Sequence, residues 1–353
     1  MPSKPVLRMQ GRALLALLSL LATLWACHGP QDTPTPPAPT HNGPMALPAS
    51  FGTPRFGAVQ GSVTEAGFAL GKALFFDPAL SDDSSTSCAT CHLPEAAFAD
   101  PGKAVSNGIF SQPTSRNSPT IQNLAWRAEL MWDGRSPGVE HQPMLPIGNP
   151  GEMGQSFTTT ATKVGRLIRY QPLTRAAYGS DTLTPARLLN ALAQYMATLV
   201  SAQSPFDAYL RGDSTALSAQ QRQGLRVFNA QGCGRCHTPP LFTDNSFRNN
   251  GLDHFGDSGR YAHTRQLADI FRFAVPTLRN AAKSAPYMHD GRFATLGEVL
   301  SHYRRGILAS PSLERPLLPP GGLRFSDADS AALHAFLLGL TDEAFCQNPK
   351  FRP

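Results

Sequence analysis

Two short stretches decide the class of this chain: Cys88-Ala89-Thr90-Cys91-His92 and Cys233-Gly234-Arg235-Cys236-His237. In a C-x-x-C-H stretch the two thiols lie one helical turn apart, so both can add to the vinyl groups of one haem, and the adjacent histidine can bind the iron. Two such stretches predict two covalent c-type haems. The haem residues are then Cys88, Cys91 and His92 for the first group, and Cys233, Cys236 and His237 for the second.

Three other interpretations of the paired cysteines are open: a zinc site, a redox dithiol and structural disulfides. Four cysteines from two C-x-x-C knuckles could hold zinc, but such a site does not require a histidine after each knuckle. A thioredoxin-like dithiol would need a βαβ context, which the sequence lacks. Cys27 and Cys346 stand outside the pattern, and we expect Cys346 to be a free thiol.

Residues 1–27 have the pattern of an export signal. Three basic residues precede an apolar run from Ala13 to Ala26, which is too short to span a bilayer as a mature helix. The junction before Cys27 is similar to a lipoprotein cleavage site, where the cysteine becomes acylated, and ordinary secretory cleavage is the alternative. Residues 28–50 are rich in Pro and Thr and predict a linker. We expect a periplasmic protein whose membrane contact is at most such a lipid anchor.

The charge of the chain argues against one class of partner. The formal net charge is +6, and the leader contributes three basic residues and no acidic residue to it. The small excess that is left gives no case for binding nucleic acid. After the leader, no apolar run approaches the length of a membrane-spanning helix.

Helical signals dominate the rest of the chain. Apolar residues at three- and four-residue spacing, together with capping residues, predict helices over 64–75, from Thr184-Pro185 through Leu199, from Ser218 to the second haem motif, over 295–303 and over 326–338. Strand-like alternation is scarce, and 30 Gly and 32 Pro indicate long loops. We therefore predict a mainly α fold with two cytochrome-c-like haem domains, residues 51–202 and 203–353.

Several further motifs show a family resemblance. Over about residues 50–345 the chain resembles the bacterial di-haem cytochrome c peroxidase and MauG family. The motifs that carry this resemblance are Arg116-Asn117-Ser118-Pro119-Thr120, Trp132-Asp133-Gly134-Arg135, Asn149-Pro150-Gly151-Glu152-Met153-Gly154, Val275-Pro276-Thr277-Leu278-Arg279-Asn280 and Ala285-Pro286-Tyr287-Met288-His289-Asp290-Gly291. The resemblance implies that peroxide binds at the N-terminal haem and that the C-terminal haem passes electrons to it.

The same resemblance implies roles for residues near the first haem. Glu152 matches the distal glutamate, Gln142 the distal glutamine, and Pro146 a loop residue over the same face. Trp132 matches a tryptophan between the two haems, and Arg135 is a candidate to hold a propionate. Without the resemblance, a glutamate in a Gly/Pro-rich loop is usually just solvated, and a tryptophan is usually core.

Two more features follow from the resemblance. The family's calcium site, an Asn side chain and backbone carbonyls, matches Asn117, Ser284 and Pro286, and such oxygen ligands suit calcium. The alternative is that Asn117 only caps a turn. Many relatives carry a distal histidine between the first haem motif and Arg116, and this sequence has none there. The first haem is therefore expected to lack a sixth protein ligand at rest.

The sixth ligand of the second haem separates two kinds of relative: a methionine in peroxidases and a tyrosine in MauG-like members. The ligand position lies seventeen residues after the motif proline, which from Pro286 gives Tyr303. Met288 and His302 are the rivals, and a buried core tyrosine is the alternative. Tyr303 is the predicted ligand.

These expectations lead to three candidate functions. The first is a peroxidase that reduces hydrogen peroxide with electrons from a small cytochrome c or cupredoxin. The second is a MauG-like enzyme that oxidises residues of a partner protein through high-valent iron. The third is an electron-transfer cytochrome without chemistry of its own, which would have no use for Glu152 and Gln142.

Overall fold

α-Helices carry most of the regular structure in residues 40–56, 62–253, 255–317 and 322–353, the part of the chain that the computed structural model describes. These residues belong to one compact unit, residues 37–353. The helices are α1 Glu65–Phe75, α2 Cys88–Cys91, α3 Met144–Gly148, α4 Phe157–Gly165, α5 Gln171–Tyr178, α6 Pro185–Ala197, α7 Pro205–Leu210, α8 Ala219–Ala230, α9 Tyr261–Thr264, α10 Leu296–Arg305, α11 Asp327–Leu338 and α12 Glu343–Cys346.

Strands are few and short in the described part. Two antiparallel pairs occur, β1 Thr40–Asn42 with β2 Met45–Leu47, and β3 Phe247–Arg248 with β4 Phe273–Ala274. The prediction of a mainly α fold is thus confirmed, and the division into two domains remains a prediction. No helix among the described residues has both the length and the apolar character needed to cross a membrane.

Capping side chains begin the long helices where the sequence predicts them. The Thr64 side chain accepts a hydrogen bond from the amide of Gly67, and Ser218 and Ser326 form capping boxes at α8 and α11. α6 has Pro185 in its first turn and ends at Ala197, two residues before the predicted limit. α4 and α5 were not predicted. Their sequences are largely polar, and their few apolar residues, such as Phe157, Ala161 and Val164 in α4, have helical spacing but form only a sparse pattern.

Two pairs of helices cross at very short range through glycines. A Cβ on Gly71 of α1 would lie 1.9 Å from the carbonyl oxygen of Ala191 in α6. A Cβ on Gly224 of α8 would lie at the same distance, 1.9 Å, from the carbonyl oxygen of Ala332 in α11. Both crossings therefore require a residue without a side chain. In each pair, the first helix is the one that precedes a C-x-x-C-H stretch.

Buried apolar side chains form separate clusters around these two pairs. The first core cluster contains α1 and α6 residues such as Leu74 and Tyr195, and the C-terminal residues Phe345 and Phe351 also pack in it. The second core cluster lies within 206–340 and is centred on phenylalanines. Four of these rings contact one another edge-on or tilted: Phe206, Phe228, Phe242 and Phe336.

Polar groups tie the two clusters together in the interior. The Asn280 amide donates to Gln122 Oε1 at 2.6 Å and to Ser201 Oγ at 2.9 Å, and its oxygen accepts from the amide of Asp342 at 2.6 Å. Because every one of these groups is buried and hydrogen-bonded, the network fixes how residues from distant parts of the sequence meet.

Candidate functional site

A first cavity, of about 1370 Å³ and open to solvent, lies beside the first C-x-x-C-H stretch. It is lined mainly by apolar side chains of α1, α6 and the loops between them. The structure brings nine of the predicted site residues to its wall: Cys88, Cys91, His92, Asn117, Trp132, Arg135, Gln142, Pro146 and Glu152. The segment 142–152, which includes α3, folds back across this cavity. Residues up to 64 positions apart in sequence therefore line the same cavity.

The His92 ring is set to bind a metal. Its Nδ1 lies 2.7 Å from the carbonyl oxygen of Phe98, and a carbonyl can only accept, so Nδ1 carries the proton. Nε2 is then left with a lone pair. Burial lowers the pKa of His92, which keeps the ring neutral, and burial raises the pKa of the nearby Cys88 thiol to about 12. Both effects show how apolar this wall of the cavity is.

Glu152 is held in place on the opposite loop. The Asn149 side-chain amide donates to Glu152 Oε1 at 2.6 Å, and the backbone amide of Ile109 donates to the Glu152 carbonyl at 2.9 Å. The second contact needs Gly108, since a Cβ there would lie 2.1 Å from the Gly151 carbonyl oxygen and 2.5 Å from the Glu152 Cα. The loop before Arg116 and the Glu152 loop thus support each other.

A second cavity, of about 1940 Å³, lies beside the second C-x-x-C-H stretch. His237 matches His92, because its Nδ1 lies 3.1 Å from the Pro276 carbonyl and 3.3 Å from the Phe242 carbonyl. Burial lowers the pKa of His237 and raises that of Cys233 to about 11. The predicted site residues on its wall are Cys233, Cys236, His237, Asn117, Trp132, Ser284, Pro286 and Tyr303.

Two of the three candidate sixth ligands, Tyr303 and Met288, line the second cavity. Tyr303 projects from α10 onto the cavity wall, and burial raises the pKa of its hydroxyl. Met288 lies on the wall as well, with its Sδ 3.6 Å from Asn250 Nδ2. His302, the third candidate, points its Nε2 at the Asn250 carbonyl, 3.1 Å away, and does not line the cavity.

Trp132 lines both cavities. Its indole Nε1 donates to the Asn117 carbonyl at 2.8 Å, and its ring meets His289 edge-on at 6.5 Å. The next residue, Asp133, is held by an ion pair with Arg116 at 2.7 Å. The indole is therefore anchored at the wall that the two cavities share.

The residues predicted to hold calcium lie near one another on the second cavity. The Asn117 amide nitrogen donates to the carbonyls of Lys103 and Ala104, at 3.2 and 3.0 Å, which leaves its side-chain oxygen as the free end. Ser284 and Pro286 line the same cavity. Oxygen donors of this kind suit calcium. The donor chemistry thus fits the ion.

Two predicted features fall elsewhere. Cys27 and the export signal lie outside the described residues. Cys346 is buried in the first core cluster, lines neither cavity and is a free thiol.

Three residues that the structure places at these sites had no role predicted from the sequence: Asn149, Asn250 and Arg127. Asn149 could have been found, because an asparagine three residues before a glutamate in a loop is a common local hydrogen-bond partner. Asn250 and Arg127 carry no such local signal, since their neighbours at the cavities come from distant parts of the chain.

Comparisons with known proteins show which family the chain resembles. Residues 65–215 match the family described as di-haem cytochrome c peroxidase. The methylamine utilization protein MauG of Methylorubrum extorquens is 39% identical over 279 residues, 78% of each chain. The cytochrome c551 peroxidase of Pseudomonas aeruginosa is 35% identical over 260 residues, 71% of this chain and 73% of its own. A crystal structure of a MauG-like protein associated with microbial copper homeostasis has a TM-score of 0.76 at 30% identity, covering 86% and 97% of the two chains.

Two cavities, each with a C-x-x-C-H stretch and a histidine whose Nε2 is free, define a di-haem oxidoreductase. The chain belongs to the di-haem cytochrome c peroxidase and MauG family, and it is an enzyme of the peroxidase type. The family resemblance drawn from the motifs is thereby confirmed.

Proposed function

We propose that the enzyme reduces hydrogen peroxide in the first cavity, with electrons that enter at the second cavity from a small cytochrome c or cupredoxin. The observation that carries this proposal is the asymmetry of the two cavities. Glu152 and Gln142 line the first cavity together with His92, whereas the second has Tyr303 and Met288 in place of a free carboxylate. Reduction of peroxide to two waters consumes two electrons and two protons, so it needs a group that moves protons.

The roles in the first cavity follow from the side chains present. Bound haem would supply the iron that takes peroxide and the electrons for its reduction, with His92 as the ligand on one side. Glu152 would take a proton from one peroxide oxygen and give it to the other, so that water can leave. Gln142 would orient the peroxide by hydrogen bonding, and Pro146 would shape the loop above it. Asn149 would keep the Glu152 carboxylate aimed into the cavity.

Trp132 would relay electrons across the shared wall. Its indole lies on both cavities and is held by the Asn117 carbonyl, which restricts its motion. Arg135 would bind a propionate at the mouth of the first cavity. Its side chain is partly exposed, and its ion pair with Asp133 is long, at 3.7 Å.

At the second haem, Tyr303 would be the sixth ligand opposite His237. The support is its position on the wall of the cavity that Cys233, Cys236 and His237 also line. A phenolate ligand stabilises ferric iron and lowers the reduction potential. Such a ligand favours the second candidate function, in which the enzyme oxidises residues of a partner protein, and the MauG relative at 39% identity supports the same candidate.

Covalent attachment of both haems would use Cys88 and Cys91 in the first cavity, and Cys233 and Cys236 in the second. This chemistry belongs to an exported protein, as does the export signal predicted over residues 1–27, so we propose a periplasmic location with Cys27 as a lipid anchor. Two haem domains, residues 51–202 and 203–353, would each contain most of one core cluster, with Phe345, Cys346 and Phe351 of the second range packing in the first cluster. A calcium ion held by Asn117 and the carbonyls of Ser284 and Pro286 would stabilise the loops between them.

The test of the function begins with the haem count. Denatured protein should give two haems per chain in a pyridine haemochrome assay and keep its colour through acid-acetone extraction. A single haem would end the two-cavity mechanism. The intact enzyme is then mixed with peroxide and a panel of reduced small cytochromes and cupredoxins. We expect two equivalents of donor to be oxidised for each peroxide; peroxide use that depends on a protein substrate instead would establish the MauG-like function.

The ligand assignment has a separate test. Near-infrared magnetic circular dichroism of the ferric enzyme should show no methionine-to-iron charge-transfer band, and electron paramagnetic resonance of the second haem should change in Tyr303→Phe but not in Met288→Leu. A methionine band that survives in Tyr303→Phe and disappears in Met288→Leu would show that Met288 is the ligand.

A further inference from the structure

Arg127 stands out on the wall between the two cavities. Among the described residues that line both cavities, it alone has a charged side chain, and its neighbours there include Asn117, Thr120 and Trp132. Arg127 follows a short 3-10 turn over Leu124–Trp126, whose backbone it closes by donating to the Leu124 carbonyl at 3.0 Å. A positive charge is thus placed between the two sites by the fold itself.

The Arg127 guanidinium has no partner in the described part of the chain. Its Nε is buried without a hydrogen bond, and no carboxylate pairs with it. Burial lowers its pKa to about 10, with no opposing charge to raise it. The other arginines on the cavity walls differ: Arg116 lies 2.7 Å from Asp133 and 2.7 Å from Asp257, and Arg248 pairs with Asp244 at 2.7 Å and Glu314 at 3.1 Å.

Arg127 is half-buried, and a cation that is partly shielded from water and unpaired is unfavourable unless an anion completes the site. A planar guanidinium fits carboxylates best, because its fork of N–H groups can bind them in a bidentate way. Haem carries two such carboxylates, its propionates. A haem in either cavity would therefore bring the missing anions to the wall where Arg127 lies.

We propose that Arg127 binds one propionate from each haem and couples the two redox centres through a single shared charge. This inference rests on the proposed seating of a haem in each cavity. A positive charge beside a propionate favours the reduced haem, so Arg127 raises both reduction potentials together. It also keeps the two propionates ionised, because a cation lowers the pKa of a neighbouring carboxyl.

The test measures both haem potentials by spectroelectrochemical titration of the holoenzyme at several pH values. In Arg127→Gln, the ferric-to-ferrous equilibrium of each haem should shift toward ferric by about tenfold, which is about 59 mV for one electron. Without the cation the propionates take up protons more readily, so both potentials should also become more dependent on pH. Arg127→Lys, which keeps the charge, should restore most of the tenfold shift.

The matched control is Arg272→Gln. Arg272 also has a buried Nε without a partner, but it lines neither cavity, so the same loss of charge should leave both potentials unchanged. A shift confined to one haem would disprove the shared contact. Unchanged potentials with unchanged pH dependence would reduce Arg127 to a structural role.

A second measurement covers the case in which Arg127→Gln fails to fold. In Arg127→Lys the fork is lost, so the propionate bending modes of both haems should move in resonance Raman spectra, and unmoved modes would overturn the proposal. The haem count of the same samples separates the two hypotheses. Two haems with no effect of Arg127 would refute this inference alone, whereas fewer than two haems in the wild type would refute the proposed function.

Discussion

The regions around the two cavities have the same arrangement of helices and of the haem-stretch histidine. In each, a helix that leads to a C-x-x-C-H stretch crosses a second helix at a glycine, Gly71 with Ala191 and Gly224 with Ala332. In each, the histidine of the stretch points Nδ1 at a backbone carbonyl and leaves Nε2 free. The same local solution therefore occurs twice in one chain.

What lies across from each histidine differs. A loop carries Gln142 and Glu152 to the wall of the first cavity. At the second cavity, a helix carries Tyr303 and a turn carries Met288. The carboxylate on the second cavity, Glu314, is already paired with Arg248 at 3.1 Å. In the proposed function, the helix pairs would position a haem, and the segments that cover the open face would determine its chemistry.

The largest expected difference between the two cavities is the effect of changing Glu152 on peroxide turnover. Glu152→Gln removes the proton-transferring group but keeps its size, so peroxide turnover should fall by about 10²- to 10⁴-fold with both haems still bound. Glu314→Gln, at the carboxylate of the second cavity, should cost only a few-fold. Steady-state turnover and haem content of both variants would show it. Turnover within a few-fold of wild type in Glu152→Gln would remove the proposed difference between the cavities.

The two regions should also differ in how they depend on ion pairs. In the second region, Arg279 is fully buried and binds Asp207 through two bonds of 2.8 and 2.6 Å. Asp207→Asn leaves that cation uncompensated and should cost about 3–5 kcal/mol of unfolding free energy. In the first region the Arg175–Asp181 pair is exposed, so Asp181→Asn should cost less than about 1 kcal/mol. Denaturant titration would compare them, and equal losses would contradict this prediction.

The Asp207 pair also has a pH signature. Burial by itself would raise the pKa of Asp207, but hydrogen bonds from Arg279 and Ser204 outweigh it, and the pKa is lowered. Its contribution is therefore full above the unfolded value of about 3.9 and is lost as the pH falls through the lower folded value. Acid titration of stability in wild type and Asp207→Asn would test this. The two curves should converge at the lowest pH, and parallel curves would rule it out.

The glycine crossings offer the most symmetric comparison. Gly71→Ala and Gly224→Ala both force a Cβ against backbone, so each should destabilise the enzyme by about 1–3 kcal/mol despite the better helix propensity of alanine. Gly297, in the first turn of α10, has nothing closer than 3.7 Å to such a Cβ, so Gly297→Ala should gain up to about 1 kcal/mol. Thermal unfolding of all three would decide. A neutral Gly71→Ala would mean that the crossings are not equivalent.

The smallest expected effect concerns the loop that supports Glu152. Gly108→Ala pushes on the Glu152 backbone and should lower peroxide turnover by about tenfold, without altering the spectrum of the second haem. Gly148→Ala is the control, because its Cβ would contact nothing within 4 Å. Equal turnover in the two variants would show that the Gly108 contact does not position Glu152.

The sequence alone was enough to predict the haem stretches, the five helices with a clear apolar pattern, and the family. These signals are local: C-x-x-C-H reports on its own chemistry, and Thr64, Ser218 and Ser326 cap helices within three residues of themselves. Local spacing also supports Tyr303, since a helix fixes which residues share its inner face. The helices α4 and α5 were not predicted because their few apolar residues give only a weak pattern, and most helical stability comes from tertiary packing.

Only the tertiary structure decided which residues meet across the cavities. Glu152 is held at the first cavity because the loop at Ile109, 43 positions upstream, hydrogen-bonds its carbonyl. Asn250 likewise meets Met288 only after the chain has turned back. The unpaired charge of Arg127 is likewise invisible in sequence, because a missing partner can be recognised only when all the neighbours in space are known. Burial and pairing depend on contacts between distant segments, and a one-dimensional pattern does not contain them.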